Sequence, residues 1–110
     1  MSGSNTNLSS VDFNDRVLSK SGMWLVYFTA EWCAPCRQLA PVLTALGKTY
    51  AGRLAIGEVQ IDEHPELSSR FQIQSAPTLV LFREGVAVDR RMGASPKPVL
   101  AAWIDKALAG

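Results

Sequence analysis

Residues 23–28 constrain the fold of this chain more than any other segment. All six are apolar, and aromatic and β-branched side chains predominate among them. A strand with one face in water alternates apolar and polar residues, whereas a strand covered on both faces is apolar throughout. The run is far too short to cross a bilayer, which takes about 20 apolar residues in a helix. It therefore predicts a sheet strand that is buried on both faces.

The segments on either side of this strand supply the covering layers. Helices are predicted at 9–20, 35–50 and 65–71, and strands at 54–61, 78–83 and 86–92. A last helix opens at Ser95-Pro96, and its apolar face carries Val99, Leu100, Trp103, Ile104 and Leu108. This order predicts an α/β fold in which helices flank both faces of a mixed central sheet.

Size and charge limit the classes of protein that this chain can belong to. With 110 residues, 47% of them hydrophobic, it is long enough for one core, and we expect a loose N-terminus at 1–7 and one domain at 8–110. The net charge of +1 gives no electrostatic footprint for nucleic acid. No secretory leader or membrane span is visible, so we expect a cytoplasmic monomer that binds neither nucleic acid nor membrane.

Both cysteines of the chain lie in the segment Trp32-Cys33-Ala34-Pro35-Cys36, where the second predicted helix begins. This spacing brings the two sulfurs within reach of each other and predicts a reversible disulfide. Cys33, at the helix N-terminus, is the predicted nucleophile, because unpaired N–H groups there favour a thiolate by about 0.3–2 kcal/mol. Cys36 lies one turn further on, and we expect it to be more buried and to act as the resolving thiol. Together the two thiols complete a cycle of disulfide exchange.

A zinc site is the alternative interpretation of the cysteine pair. A structural zinc ion takes four ligands, and only His64 remains as a further soft ligand. We therefore predict no metal and no cofactor, with the thiols carrying the chemistry themselves.

Two charged pairs receive structural interpretations. Asp62-Glu63 is predicted to cap the 65–71 helix, and Arg90-Arg91 is predicted to solvate an edge strand.

From about residue 8 to residue 108, the chain resembles the thioredoxin family. The shared signals include the Trp32-Cys33-x-Pro35-Cys36 motif, Ile61-Asp62 and Ala76-Pro77-Thr78. Further matches are Pro41 inside the second helix, Phe82-x-x-Gly85, and Gly93-Ala94 before the last helix. The resemblance implies a thioredoxin fold.

The resemblance also implies a substrate-binding surface. It implies that Pro77 follows a cis peptide bond and faces the disulfide, and that the backbone before Pro77 pairs with an extended substrate peptide. The implied substrate groove is formed by Trp32, Ala34, Pro35, Ala76, Pro77, Gly93 and Ala94. Ala34 and Pro35 also set the stiffness between the thiols and hence the redox potential. Implied partners are proteins with disulfides and an electron donor of the thioredoxin reductase kind.

The chain departs from the family pattern at several positions. Ala34 stands where glycine is commonest, and Thr29 where the family often has an aromatic residue. The buried aspartate that handles the proton of the resolving cysteine is matched by Tyr27, and its accompanying lysine by Glu58. A phenol is ionised to only about one part in a thousand at neutral pH, so Tyr27 is a poor base. We hypothesise that Glu58, or a water that it holds, accepts the proton; the alternative is that Glu58 reaches solvent or only hydrogen-bonds Tyr27.

These observations favour a protein disulfide oxidoreductase that reduces its substrates. A thiol oxidase or isomerase of the same fold is one alternative, because the direction of exchange depends on redox potential and compartment. A peptide-binding module with incidental thiols is another.

Overall fold

The computed structural model describes residues 6–7, 9, 13, 17 and 22–109. The strands are β1 (Thr6–Asn7), β2 (Met23–Thr29), β3 (Ala55–Gln60), β4 (Thr78–Arg83) and β5 (Val86–Met92). The helices are α1 (Ala34–Thr49), α2 (Pro65–Arg70) and α3 (Lys97–Ala109). The bounds of these elements follow the sequence predictions closely. Most of the predicted helix at 9–20 lies outside the described residues.

The described strands form one mixed sheet in the order β1-β3-β2-β4-β5. β2 runs parallel to β3 and antiparallel to β4, and β5 is an antiparallel edge strand. All seven residues of β2 are buried, which confirms the prediction from its apolar run. Thr6 and Asn7 were predicted as part of a loose terminus. They instead pair with Gly57 and Glu58 of β3, so the sheet begins before the predicted boundary at residue 8.

Alternate residues of β2 enter two separate cores, one on each face of the sheet. Leu25 and Tyr27 pack with α1 and α3, whereas Val26 and Phe28 pack on the opposite face with Phe13, Val17 and α2. This alternation is the period of two of a strand, and it explains why no position of β2 tolerates a solvated side chain. Layers therefore cover both faces of the sheet, as predicted.

One prediction about the buried face of α3 is wrong. Val99 is 41% exposed, while Leu100 and Ile104 are fully buried and Trp103 is nearly so. The face of α3 that meets the sheet follows the spacing of residues 100, 103 and 104, which leaves Val99 beside it rather than on it.

Strand direction brings four loops to one edge of the sheet. β2, β3 and β5 end at this edge and β4 begins there, because Thr78 pairs with Phe28 on one side and Met92 on the other. The segments at 30–33, 61–64, 71–77 and 93–96 therefore meet. This edge carries the first cysteine and the proline that immediately precedes β4.

Candidate active site

The two cysteines form a disulfide at the N-terminus of α1. Their Cα atoms are 5.3 Å apart, and Cys33 is the N-cap residue, with extended backbone angles. The backbone N–H of Cys36 donates to Cys33 Sγ over 3.2 Å. In the reduced protein the same N–H is placed to stabilise a thiolate at Cys33, as expected for a sulfur that caps a helix. Pro35 lies in the first turn of the helix, where its missing N–H costs no intrahelical bond.

The disulfide is buried among apolar side chains. Cys33 is 4% exposed and Cys36 is 3% exposed. The predicted difference in burial between them is therefore wrong for this oxidised state, because both sulfurs lie in one apolar cluster. Ala30, Ala76 and Ile61 pack against the pair. A substrate must accordingly approach across the surface formed by the surrounding loops.

Trp32 is the largest exposed side chain beside the disulfide. It is 65% exposed, yet its indole Nε1 donates to Asp62 Oδ2 over 2.8 Å. The prediction that Asp62 caps α2 is wrong, since His64 is the N-cap residue and no side chain of the described residues makes a cap hydrogen bond there. Because β2 and β3 are parallel neighbours, the loops that follow them meet and place Asp62 against the indole. The carboxylate holds the ring in one orientation on the surface.

The Ala76-Pro77 peptide bond is cis, as the family resemblance implies. Pro77 is buried, and its carbonyl accepts from the Gly93 N–H over 2.9 Å. Gly93 has φ of +84°, a left-handed conformation that favours glycine. Ala76 contacts the cysteine cluster, so residues 76, 77 and 93 lie together beside the disulfide. Ala94, by contrast, lines a shallow pocket of about 320 Å³ with Gln38, Leu39 and Val42.

A second pocket, of about 510 Å³, reaches Cys36 from the side of β3. Tyr27 and Glu58 are cross-strand neighbours in its wall, and the Tyr27 hydroxyl donates to Glu58 Oε1 over 2.8 Å. Gln60 Nε2 donates to the other carboxylate oxygen over 3.1 Å. Sequence reasoning missed Gln60, although the period of two along β3 puts it on the same face as Glu58. Glu58 is thus held by two donors in a pocket that Cys36 also lines.

Arg37 is another residue that sequence reasoning missed. It lines the same pocket as Cys36 and Glu58, and its Nη2 donates to the carbonyl of Glu31 over 2.7 Å. A guanidinium fixed here adds positive charge beside the first turn of α1. Its position directly after Cys36 was the available signal, because Lys or Arg near a cysteine favours the thiolate.

Among the described residues, no three His, Cys, Asp or Glu side chains are grouped as metal ligands would be. None of the helices within 22–109 has the length and apolar character needed to span a membrane.

Comparisons with known proteins agree with this geometry. Residues 4–106 match the family model described as thioredoxin. The thioredoxins of Staphylococcus aureus strains Mu50 and MW2 are each 40% identical to this chain over 101 residues, covering 92% of it and 95% of the relative. A solved structure of a mutant thioredoxin from Halobacterium salinarum superposes with a TM-score of 0.85 at 28% identity. That match covers 96% of this chain and 91% of the other.

Proposed function

Because this chain belongs to the thioredoxin family and is a thiol-disulfide oxidoreductase, we propose that it reduces the disulfides of other proteins. The observation that carries this proposal is the Cys33–Cys36 disulfide at the N-terminus of α1, beside Ala76 and the cis Pro77. In one cycle the dithiol passes two electrons to the substrate disulfide. The substrate leaves as a dithiol, and this chain becomes the disulfide.

The two cysteines have separate roles in this proposal. The Cys33 thiolate attacks one sulfur of the substrate disulfide, forms a mixed disulfide and releases the other substrate sulfur as a thiolate. The Cys36 thiolate then attacks Cys33 Sγ, which breaks the mixed disulfide and releases the second substrate sulfur. The N–H of Cys36 supports the role of Cys33, because it points at Cys33 Sγ and is placed to stabilise the charge of the thiolate.

The surface around the disulfide is the proposed substrate groove. It comprises Trp32, Ala34, Pro35, Ala76, Pro77, Gly93 and Ala94. The backbone at Ala76 pairs with an extended segment of substrate, while the indole of Trp32 covers the apolar side chains of that segment. Backbone pairing recognises no particular side chain, so the groove accepts many protein disulfides.

The remaining parts of the proposal concern the setting of the reaction. The chain acts as a cytoplasmic monomer without a cofactor, and an electron donor of the thioredoxin reductase kind reduces its disulfide again. Family membership supports both the protein substrates and this donor.

We also propose that Glu58 accepts the proton of the Cys36 thiol, directly or through a water in the pocket that they share. The position of Glu58 in that pocket supports this role, and its bonds from Tyr27 and Gln60 fix the carboxylate there. The test is the pH profile of disulfide reduction in Glu58→Gln, with Tyr27→Phe as the matched control that keeps the carboxylate. A Glu58→Gln profile identical to that of the wild type would refute the role.

Two measurements test the direction of exchange. The first is the equilibrium potential against glutathione, followed by Trp32 fluorescence. We expect a value at or below the cytosolic poise of about −220 to −320 mV. The second is the rate at which the reduced protein cleaves the disulfides of insulin. A potential near that of secretory oxidants would identify an oxidase or isomerase instead.

Cysteine variants test the roles of the thiols. The Cys36→Ser variant should accumulate mixed disulfides with its substrates at Cys33, since the resolving thiol is missing. A Cys33→Ser, Cys36→Ser double variant should be inactive. If the double variant retains the cellular function, the protein is a peptide-binding module and the thiols are incidental.

A further inference from the structure

Arg90 makes a bidentate contact that the sequence did not indicate. It lies on the edge strand β5, where we expected it only to solvate the sheet. Its Nη1 donates to the carbonyl of Phe71 over 2.9 Å, and its Nη2 donates to the carbonyl of Gln72 over 3.2 Å. One planar guanidinium therefore holds two consecutive backbone carbonyls from another part of the chain.

These carbonyls lie at the C-terminal end of α2. Phe71 is the C-cap residue of that helix, and Gln72 follows it with φ of +55°. The last carbonyls of a helix have no intrahelical donor and carry partial negative charge, so a cation is favourable there. Arg90 thus ties β5 to the point where the chain leaves α2.

The segment that begins at Phe71 leads directly into the active site. Near its far end, Ala76 packs against the disulfide. Between these points, the Ile73 N–H donates to Ser68 O and the Thr78 hydroxyl donates to Ser75 O, both over 2.7 Å. Those two bonds join residues that are close in sequence. Two contacts from distant positions hold the ends of the segment: the Gly93 N–H bonds the carbonyl of Pro77, and the Phe71 ring packs on Phe82 of β4. Arg90 adds a hydrogen-bonded tie from the edge strand to the backbone at the start of the segment.

We propose that Arg90 is a positioning residue for substrate binding, which acts by holding the 71–77 segment so that the Ala76 backbone faces the substrate. This inference rests on the proposed function, in which that backbone pairs with the substrate peptide. Arg90 touches neither the substrate nor the sulfurs. Its loss therefore weakens the binding of an extended protein substrate and leaves the exchange step at Cys33 unchanged.

The test compares Arg90→Gln with Arg91→Gln, which removes the same charge from the next residue. The Arg91 guanidinium lies 5.7 Å from the ring centroid of Trp103, away from the 71–77 segment. With a protein disulfide as substrate, we expect KM to rise about three- to tenfold in Arg90→Gln, the equivalent of one ordinary hydrogen bond, with kcat unchanged. A small aromatic disulfide should be reduced at the wild-type rate, and Arg91→Gln should match the wild type with both substrates.

Hydrogen exchange provides a readout that does not depend on activity. The amides of residues 73–76 should exchange faster in Arg90→Gln than in the wild type or in Arg91→Gln. Arg90→Lys keeps the cation with a single donor group and should restore part of the protection. Unchanged exchange would show that the contact does not hold the segment, and would overturn the proposal.

The kinetic results separate this proposal from the one on which it rests. A wild-type protein that fails to reduce protein disulfides refutes the proposed function, and the substrate role of Arg90 with it. A wild-type KM in an active Arg90→Gln variant refutes the role of Arg90 alone. An equal loss of kcat with both substrates would mean that the variant has damaged the site generally, and this too would overturn the proposal.

Discussion

Replacing Tyr50 with phenylalanine should destabilise the protein by an amount that disappears at high pH. Tyr50 is the C-cap residue of α1, and its buried ring places the hydroxyl against α3. The hydroxyl donates to Asp105 Oδ1 over 2.6 Å, with the carbonyl of Ala101 also within 3.2 Å. A hydrogen bond to a charged group contributes about 1.5–3 kcal/mol. Because Asp105 itself is exposed and water can replace the lost donor, we expect about 1.5 kcal/mol, the lower end of that range.

The pH dependence follows from the pKa of Tyr50. The hydrogen bond to Asp105 raises this pKa above its ordinary value of 10.0, and burial and the Asp105 charge add to the rise. The folded state therefore holds the phenolic proton more tightly than the unfolded chain does. The hydrogen bond of the protonated Tyr50 therefore contributes fully to stability below pH 10, and this contribution is lost as the pH rises through the raised pKa.

Thermal or urea unfolding at pH 7 and between pH 9 and 11 measures this difference. At pH 7 the melting temperature of Tyr50→Phe should fall by about 6–12 °C. Above pH 10 the gap between wild type and variant should narrow. Asp105→Asn keeps an acceptor without the charge, and it should cost less than Tyr50→Phe. A variant as stable as the wild type at pH 7, or a gap that stays constant to pH 11, would refute the reasoning.

Three further variants probe the core, the indole and the edge strand. Leu43→Ala removes a fully buried side chain between α1 and the sheet. The free energy of unfolding in urea should fall by about 2–5 kcal/mol, and a fall below about 1 kcal/mol would contradict the packing. Asp62→Ala removes the hydrogen-bond acceptor of the exposed Trp32 indole, so acrylamide should quench the Trp32 emission more easily. The other two tryptophans stay buried and should not change. Unchanged quenching would show that the hydrogen bond does not hold the ring. The pKa of Asp89 is lowered chiefly by the hydrogen bond from Trp103. The ionised carboxylate therefore stabilises the folded protein above about pH 4, and this stabilisation is lost as the pH falls through the lowered pKa. At pH 7, Asp89→Asn should therefore be less stable than the wild type by up to about 1 kcal/mol, since this carboxylate is exposed. The difference in unfolding free energy should vanish in acid. A difference that persists in acid would point to another cause.

Local patterns along the chain predicted much of the fold and the centre of the site. The apolar run of β2 required a sheet covered on both faces, and the structure has it. The start of a helix at the two cysteines followed from Pro35 and the spacing of the thiols. The cis bond before Pro77 followed from the family resemblance. The first two features depend on residues that are close together in sequence, whereas the third rests on motifs matched along most of the chain.

Contacts between elements were decided only by the tertiary structure. The bonds from Trp32 to Asp62 and from Tyr27 to Glu58 join residues 30 and 31 positions apart, across the parallel pairing of β2 and β3. Because such distant contacts leave no local pattern, Asp62 was predicted to cap α2 instead of binding Trp32, and no partner was predicted for Arg90. The sequence alone determines which segments form strands and helices and where the thiols lie, because propensity and periodicity act over a few residues. The order and register of the strands determine which side chains meet, since they depend on how all the apolar faces of the chain are buried together.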